Sequence, residues 1–387
     1  MIRSFAFNTS ARILFENGAA LRISTSGAPF LGPRPFIVTD KGIIAAGLLE
    51  ETIADLCESG HSLELFTAVT ADPARALVDQ AVEAARHHEA TSIIGFGGGS
   101  SLDVAKLVAL LLGSDEDLDE AWGVGNAKGP RLPLILVPTT AGTGSEVTPI
   151  SIITVEDDEK RGVVSPVILP DLAVLDPQLT IWLPAHVTAA TGIDAMVHAI
   201  EAYSSTSDNN NPVSKALAVE ALKLLGANIE TAVFEPRNEA ARGAMLLGSM
   251  LAGMAFANSP VAAVHALAYP IGGTFHVAHG LSNALVLPHV LRFNAVKAAD
   301  PYSDLAPRVF PELAMLNDKQ DRAAAFADEL GRMTERLGLQ TTLREVGIRS
   351  EDLPKMARDA MKQTRLLINN PRPLSEADAL AIYEAAL

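Results

Sequence analysis

Residues 91–106 read TSIIGFGGGSSLDVAK. A short β-branched run gives way to three consecutive glycines and then to SSLDVAKLVALLLG, whose apolar residues recur at helical spacing. Strand, glycine turn and helix, in that order, form half of a βαβ unit. Gly97, Gly98 and Gly99 allow backbone to approach a pyrophosphate closely, and the first turn of the following helix offers N–H groups to it. Ser100 or Ser101 is expected to cap that helix. The spacing departs from the usual dinucleotide fingerprint: counted from Gly95, Ser100 stands where the third glycine belongs.

The same grammar extends to both sides. PFIVTD at 35–40 reads as a strand, followed by one helix through GIIAAGLLEETIADLCES. LELFTAV is a second strand with PARALVDQAVEAARHH as its helix, and LPLILVP is the strand after the glycine loop's helix. Strands alternating with helices of this length predict a parallel sheet, with ligands beyond the carboxyl ends of its strands. A second loop, VPTTAGTGSEVTP at 137–149, follows the next strand and is dense in hydroxyls and glycine. Either loop alone could be a tight turn; two after successive strands point to a nucleotide or phosphate site. Asp40, at the end of its strand, has two readings. Its carboxylate could accept hydrogen bonds from ribose hydroxyls and repel a 2′-phosphate, or it could cap the helix beginning at Lys41.

Beyond about residue 180 the texture changes. VTAATGIDAMVHAIEAY, SKALAVEALKLLGANIETAV, EAARGAMLLGSMLAGMAF, AAAFADELGRMTERLGL and LSEADALAIYEAAL carry apolar residues three and four apart, and strand-like runs nearly vanish. The simplest organisation is an α/β domain over 1–180, joined near LDPQLTIWLP to an all-helical domain over 181–387. Cofactor and substrate would then meet in a cleft between the two.

Composition narrows the partners. At 48% hydrophobic and 20% charged, the chain is globular rather than disordered. Its 30 basic residues against 46 acids give a charge of −16, which disfavours nucleic acid and anionic membranes. Cys57 is the only cysteine, so an intrachain disulfide and a thiolate metal cage are excluded, and a cytoplasmic location fits. The start, MIRSFAFNTSARILF, lacks the apolar core of a secretory signal. The most apolar run, AMLLGSMLAGMAFA at 244–257, reads as a buried helix too short to span a bilayer.

The remaining chemistry lies in histidines. In GIDAMVHAIEAY, Asp194 and His198 are four apart and share one helix face, as metal ligands or as a simple hydrogen-bonded pair; Glu201 could face solvent. VHALAYPIGGTFHVAHG at 264–280 carries His265, His276 and His279. Pro270 is expected to close the helix bearing His265, and the glycines of IGGTF to turn the chain so that His279 returns toward His265. His276 could share a metal with His279 only on a helical turn. Any one of these histidines reads as a core residue. Together with a carboxylate they make a coherent site for Fe2+ or Zn2+, which would polarise an alcohol or aldehyde oxygen beside a nicotinamide.

Taken together, the motifs resemble those of the metal-dependent, iron-containing alcohol dehydrogenase family over nearly the whole chain. The resemblance implies a Rossmann-like parallel α/β domain followed by a helical domain, the dehydroquinate synthase-like architecture. It implies that Gly97, Gly98, Gly99, Ser100 and Asp103 line the cofactor, that Thr139, Thr140, Thr143 and Lys160 contact it, and that Asp40 favours NAD over NADP. The family's metal ligands carry over to Asp194, His198, His265 and His279, holding Fe2+ or, alternatively, Zn2+. One position departs. Many members have a histidine four residues after the third ligand, where this chain has Tyr269, and a phenol with a pKa near 10 is a poor proton shuttle. His276 matches no ligand of the family and is expected beside the metal or the substrate; it and Tyr269 are the catalytic candidates. The expected activity is hydride transfer between a metal-bound alcohol or aldehyde and NAD, in a homo-oligomer, a dimer. Alternatives are a hydroxyacid–oxoacid transhydrogenase or ω-hydroxy acid dehydrogenase, a maleylacetate reductase-like enzyme, and a dehydroquinate synthase-like lyase. A nucleotide-binding protein that had lost its metal would not keep all four ligand positions filled.

Overall fold

A computed structural model describes residues 4–155 and 159–387. The chain divides into two compact units, Asn8–Trp182 and Leu183–Leu387, the latter joined by residues 4–7.

The first unit is built on a six-stranded, all-parallel sheet. Its strands are β1 (Arg12–Phe15), β2 (Pro35–Asp40), β3 (Glu64–Val69), β4 (Ser92–Gly97), β6 (Leu134–Pro138) and β9 (Leu172–Leu175), in the order β1-β9-β6-β4-β2-β3. Side chains alternate across each strand. Phe36, Val38, Leu134 and Leu136 enter one core, while Ile37, Ile135 and Val137 enter the other. Both faces are covered, which is why these strands read as continuous apolar runs. Three further strands, β5 (Gly123–Val124), β7 (Ile150–Thr154) and β8 (Lys160–Val164), form a small separate sheet in which β7 and β8 run antiparallel. They escape a reading of periodicity because they are short, and KRGVV is half polar.

Two helix expectations fail in this unit. The single helix after β2 is two, Lys41–Ala45 and Glu50–Glu58, interrupted at Gly47, which takes a left-handed φ of 69°. The helix after β4, Gly99–Ser114, is capped by Gly98 without any side chain, so neither Ser100 nor Ser101 is its cap. Gly99, the first residue of that helix, lies tightly against the second loop: a Cβ on it would sit 2.9 Å from Thr143 Oγ1.

The second unit is helical. Ala185–Ser204, Pro212–Phe234, Glu239–Asn258, Ala263–Phe275, His279–Val309 and Lys319–Arg336 are its long helices, and no strand occurs in it among the described residues. Glu239–Asn258 is longer than the apolar run within it, and at 20 residues is long and apolar enough to cross a membrane by length and composition. More than half (56%) of its most apolar window is buried inside the protein, which accounts for that character. Pro270 does not close its helix; the helix continues to Phe275 with Gly272 and Gly273 inside it. The turn falls instead at His276, in the left-handed conformation with φ 55°, and the next helix opens at His279.

Candidate metal centre and cofactor loops

Three helices of the second unit bring one cluster together. Asp194 and His198 stand one turn apart on Ala185–Ser204, His265 lies in the first turn of Ala263–Phe275, and His279 opens His279–Val309. One ligand atom from each lies within 4.8 Å of the others, three residues being buried and His279 exposed. His198 is stacked between Phe256 and His265, with ring centroids 4.2 and 4.7 Å away. These neighbours hold the imidazole plane by packing.

The close approach of two helices makes the cluster possible. A Cβ on Gly280 would lie 2.4 Å from the carbonyl oxygen of Ala190, so only glycine lets the helix of His279 lie against that of Asp194. Asn283, one turn beyond His279, donates to Asp194 Oδ1 at 2.6 Å. Burial alone would push the Asp194 carboxyl up. When protonated, the imidazoles of His198, His279 and His265, helped by Asn283, outweigh it and hold the group below its ordinary value.

Glu201, which could have faced solvent, is turned inward. It is 4% exposed, its Oε2 lies 2.7 Å from His265 Nδ1, and its Oε1 accepts from the Val264 N–H at 2.7 Å. The other ring nitrogen, His265 Nε2, is buried without a hydrogen-bond partner, 3.9 Å from Asp194 Oδ1. An imidazole lone pair aimed at a carboxylate is repulsive unless a cation lies between them. The donor set, three imidazoles and one carboxylate, suits Fe2+ or Zn2+. The residues therefore fit a divalent metal.

The two catalytic candidates part company. Tyr269 is partly buried, its ring centroid 6.2 Å from that of His279. Burial drives its phenol pKa upward, with Arg365 opposing and Asp194 and Glu201 adding to the rise. His276 is exposed in the left-handed turn and is not a member of the ligand cluster.

The loops of the first unit converge at one level of the sheet. β4 pairs with β6 so that Gly97 stands opposite Pro138, and the Thr139 N–H donates to the Gly97 carbonyl at 3.0 Å. Gly97, Gly98 and Gly99 thus lie beside Thr139, Thr140 and Thr143; a Cβ on Gly98 would meet Thr140 at 3.7 Å. The first-turn N–H groups of Gly99–Ser114 have no partners within the helix, the arrangement that receives anions. Asp40 does cap Lys41–Ala45, Oδ1 accepting from Gly42 and Ile43, while Oδ2 lies toward Gly97. Lys160 pairs with Asp72 and donates to Thr154 Oγ1 at 3.0 Å.

Asp103 and a residue that sequence reasoning passed over, Lys106, tie the second loop to this helix. Asp103 accepts from Ser145 Oγ at 2.6 Å and from the Ile152 N–H at 2.9 Å. Lys106, fully buried, donates to Ser145 Oγ at 2.7 Å, Thr148 Oγ1 at 3.3 Å and the Ile150 carbonyl at 2.6 Å. Desolvation lowers the lysine pKa against the pull of Asp103 and Glu146. Desolvation also raises the buried Glu146 carboxyl to about 7, although its own backbone and Lys106 work the other way. A lysine inside the apolar run VAKLVALLLG was the one signal available.

Comparison with known proteins agrees with these observations. Residues 10–177 match the family model described as iron-containing alcohol dehydrogenase, and residues 188–387 match that of the Fe-containing alcohol dehydrogenase family, C-terminal. The chain is 41% identical to long-chain-alcohol dehydrogenase 1 of Geobacillus thermodenitrificans, covering 90% of this chain and 88% of that protein. A crystal structure of 1,3-propanediol oxidoreductase superposes with a TM-score of 0.95 at 33% identity, covering both chains fully. Sulfoacetaldehyde reductase from Bifidobacterium kashiwanohense, solved in complex with NAD+, gives 0.86 at 29% identity over 100% of this chain and 99% of that one. From motif to fold to relatives, the chain belongs to the iron-containing alcohol dehydrogenase family, metal-dependent oxidoreductases that work with NAD.

Proposed function

We propose that the protein interconverts a small primary alcohol and its aldehyde, with NAD as the hydride partner and Fe2+ as the metal. The observation that carries this reading is the gathering of Asp194, His198, His265 and His279 in a chain that also has two glycine loops on adjacent strands. Asp194 supplies the single negative charge and the three imidazoles the neutral donors. A divalent iron held there supplies Lewis acidity to the substrate oxygen. Asn283 fixes the direction of the Asp194 carboxylate, and Phe256 and His265 hold the His198 ring in place. In the first unit, Gly97, Gly98, Gly99 and Ser100 receive the cofactor diphosphate at the helix N-terminus, with Thr139, Thr140 and Thr143 beside it. Asp40 Oδ2 remains to accept from the adenosine ribose after Oδ1 has capped its helix, which favours NAD over NADP. Lys160 and Asp103 complete the cofactor contacts. Tyr269, beside His279, contacts the substrate, and His276 borders its entry.

On this reading residues 1–180 bind the dinucleotide, 181–387 the metal and substrate, and the enzyme works as a cytoplasmic homodimer. The lone Cys57 supports a reducing compartment. Purified protein loaded with Fe2+ is expected to form NADH from at least one member of a panel of primary alcohols, and the His265→Ala variant to form none. Absence of turnover across alcohols and aldehydes, with metal bound, would sink the proposal. A light-scattering mass of one chain would remove the dimer.

A further inference from the structure

We infer that Glu201 is a positioning residue that sets which nitrogen of His265 carries the proton. It thereby presents Nε2 to the cation site. The inference rests on the reading of Asp194, His198, His265 and His279 as a metal site, and adds a residue to it.

Glu201 shares a helix face with Asp194 and His198, seven and three positions beyond them. It works across helices. Its Oε1 accepts from the Val264 N–H, in the first turn of a helix whose N-cap residue, Ala262, supplies no side-chain cap. A backbone N–H can only donate, so Oε1 is committed as an acceptor. Its Oε2 faces His265 Nδ1 at 2.7 Å. A carboxylate also only accepts, so Nδ1 carries a proton, and on the neutral ring Nε2 then carries the lone pair. Nε2 is the buried atom with no hydrogen-bond partner, 3.9 Å from Asp194 Oδ1. A carboxylate behind a ligating imidazole fixes the tautomer and the ring orientation and strengthens the donor.

The two-acceptor arrangement makes an unusual demand on the isosteric variant. Glu201→Gln has one acceptor and one amide donor. Val264 N–H claims the acceptor, so the amide donates to His265 Nδ1 and drives the ring proton onto Nε2, the ligating atom. Glu201→Ala removes the carboxylate but imposes no tautomer. Zn2+ affinity, measured by competition with a chromophoric chelator, is therefore expected to fall about tenfold to a hundredfold in Glu201→Gln. The fall in Glu201→Ala should be no larger. A purely space-filling or capping role gives the reverse order, Gln near wild type and Ala worst, and that order overturns the inference. Imidazole nitrogen chemical shifts of the metal-free wild-type protein, with His265 assigned by difference from His265→Ala, provide a check that needs no Glu201 variant. Read at a pH where the His265 ring is neutral, a proton on Nδ1 supports the inference, and one on Nε2 overturns it. Wild-type protein that binds neither Zn2+ nor Fe2+ overturns the underlying metal reading instead, so the two failures are distinguishable.

Discussion

At Gly280 a single hydrogen atom decides whether the metal cluster can assemble. Any side chain there meets the Ala190 carbonyl at 2.4 Å, and the obstacle is backbone, which cannot swing aside. Gly280→Ala is expected to destabilise the protein by about 1–3 kcal/mol, the usual range for overpacking a well-filled core. It should also weaken Zn2+ binding, because His279 is the adjacent residue. Urea melts and chelator competition on the same preparation check both; unchanged stability would refute the close-approach argument. Nothing in HVAHG announces this role, since the sequence does not say which backbone crosses over which. Asp40 carries a related lesson. Its two carboxylate oxygens face different ways and one is engaged in capping, so the cap leaves the other oxygen free of that duty.

At the scale of elements, the second loop is held by the helix of the first. Lys106 and Asp103 pin Ser145, Thr148 and the start of β7, so the loop carrying Thr139, Thr140 and Thr143 is not free to drift. Lys106→Met keeps the apolar stem and removes three hydrogen bonds from one buried ammonium. NAD+ affinity, followed by titration, is expected to weaken about tenfold, corresponding to about 1.4 kcal/mol of lost loop order. Unchanged affinity would show that the loop needs no tether.

Glu146 gives a pH dependence whose sign is fixed. Its folded pKa, about 7, lies above its ordinary 4.5, so the folded state holds the proton more tightly. The stabilisation is full below 4.5 and is lost as pH rises through 7. The loss is on the order of 3 kcal/mol at most. Unfolding free energies measured between these pH values should therefore converge for wild type and Glu146→Gln at the acid end, with the variant ahead at the neutral end. Parallel curves would contradict this. The turn between His265 and His279 also belongs to this scale. The glycines are the expected hinge, but they stay helical and the bend falls at His276, a residue type that takes a left-handed conformation at modest cost.

At the scale of the whole molecule, the four residues that could hold a metal come from three separate helices, so a metal bound there would fasten Ala185–Ser204, Ala263–Phe275 and His279–Val309 to one another. Binding to the folded state alone stabilises it by mass action, about 2.7 kcal/mol when free metal exceeds Kd a hundredfold. Removal of metal with a chelator is expected to lower Tm by several degrees, reversibly on adding Zn2+ back, with no such shift in His265→Ala. A chelator-insensitive Tm would argue against a metal spanning these helices.

The sequence by itself determined the class of fold and the chemistry on offer. Strand and helix periods are local properties, readable from neighbours two to four residues apart, and they located the strands that carry both loops and nearly all the long helices. Residue type alone supplied the carboxylate and imidazoles at 194, 198, 265 and 279. Only the tertiary structure decided the rest. Glu201 meets His265 across 64 residues and Asn283 meets Asp194 across 89, and each pairing depends on how helices cross rather than on any spacing within one. A buried polar group must find a partner wherever the chain brings one, and that constraint leaves no periodic trace in the sequence. The same holds for Lys106, whose partners Ser145 and Ile150 lie in the second loop and the strand after it, 39 and 44 positions away.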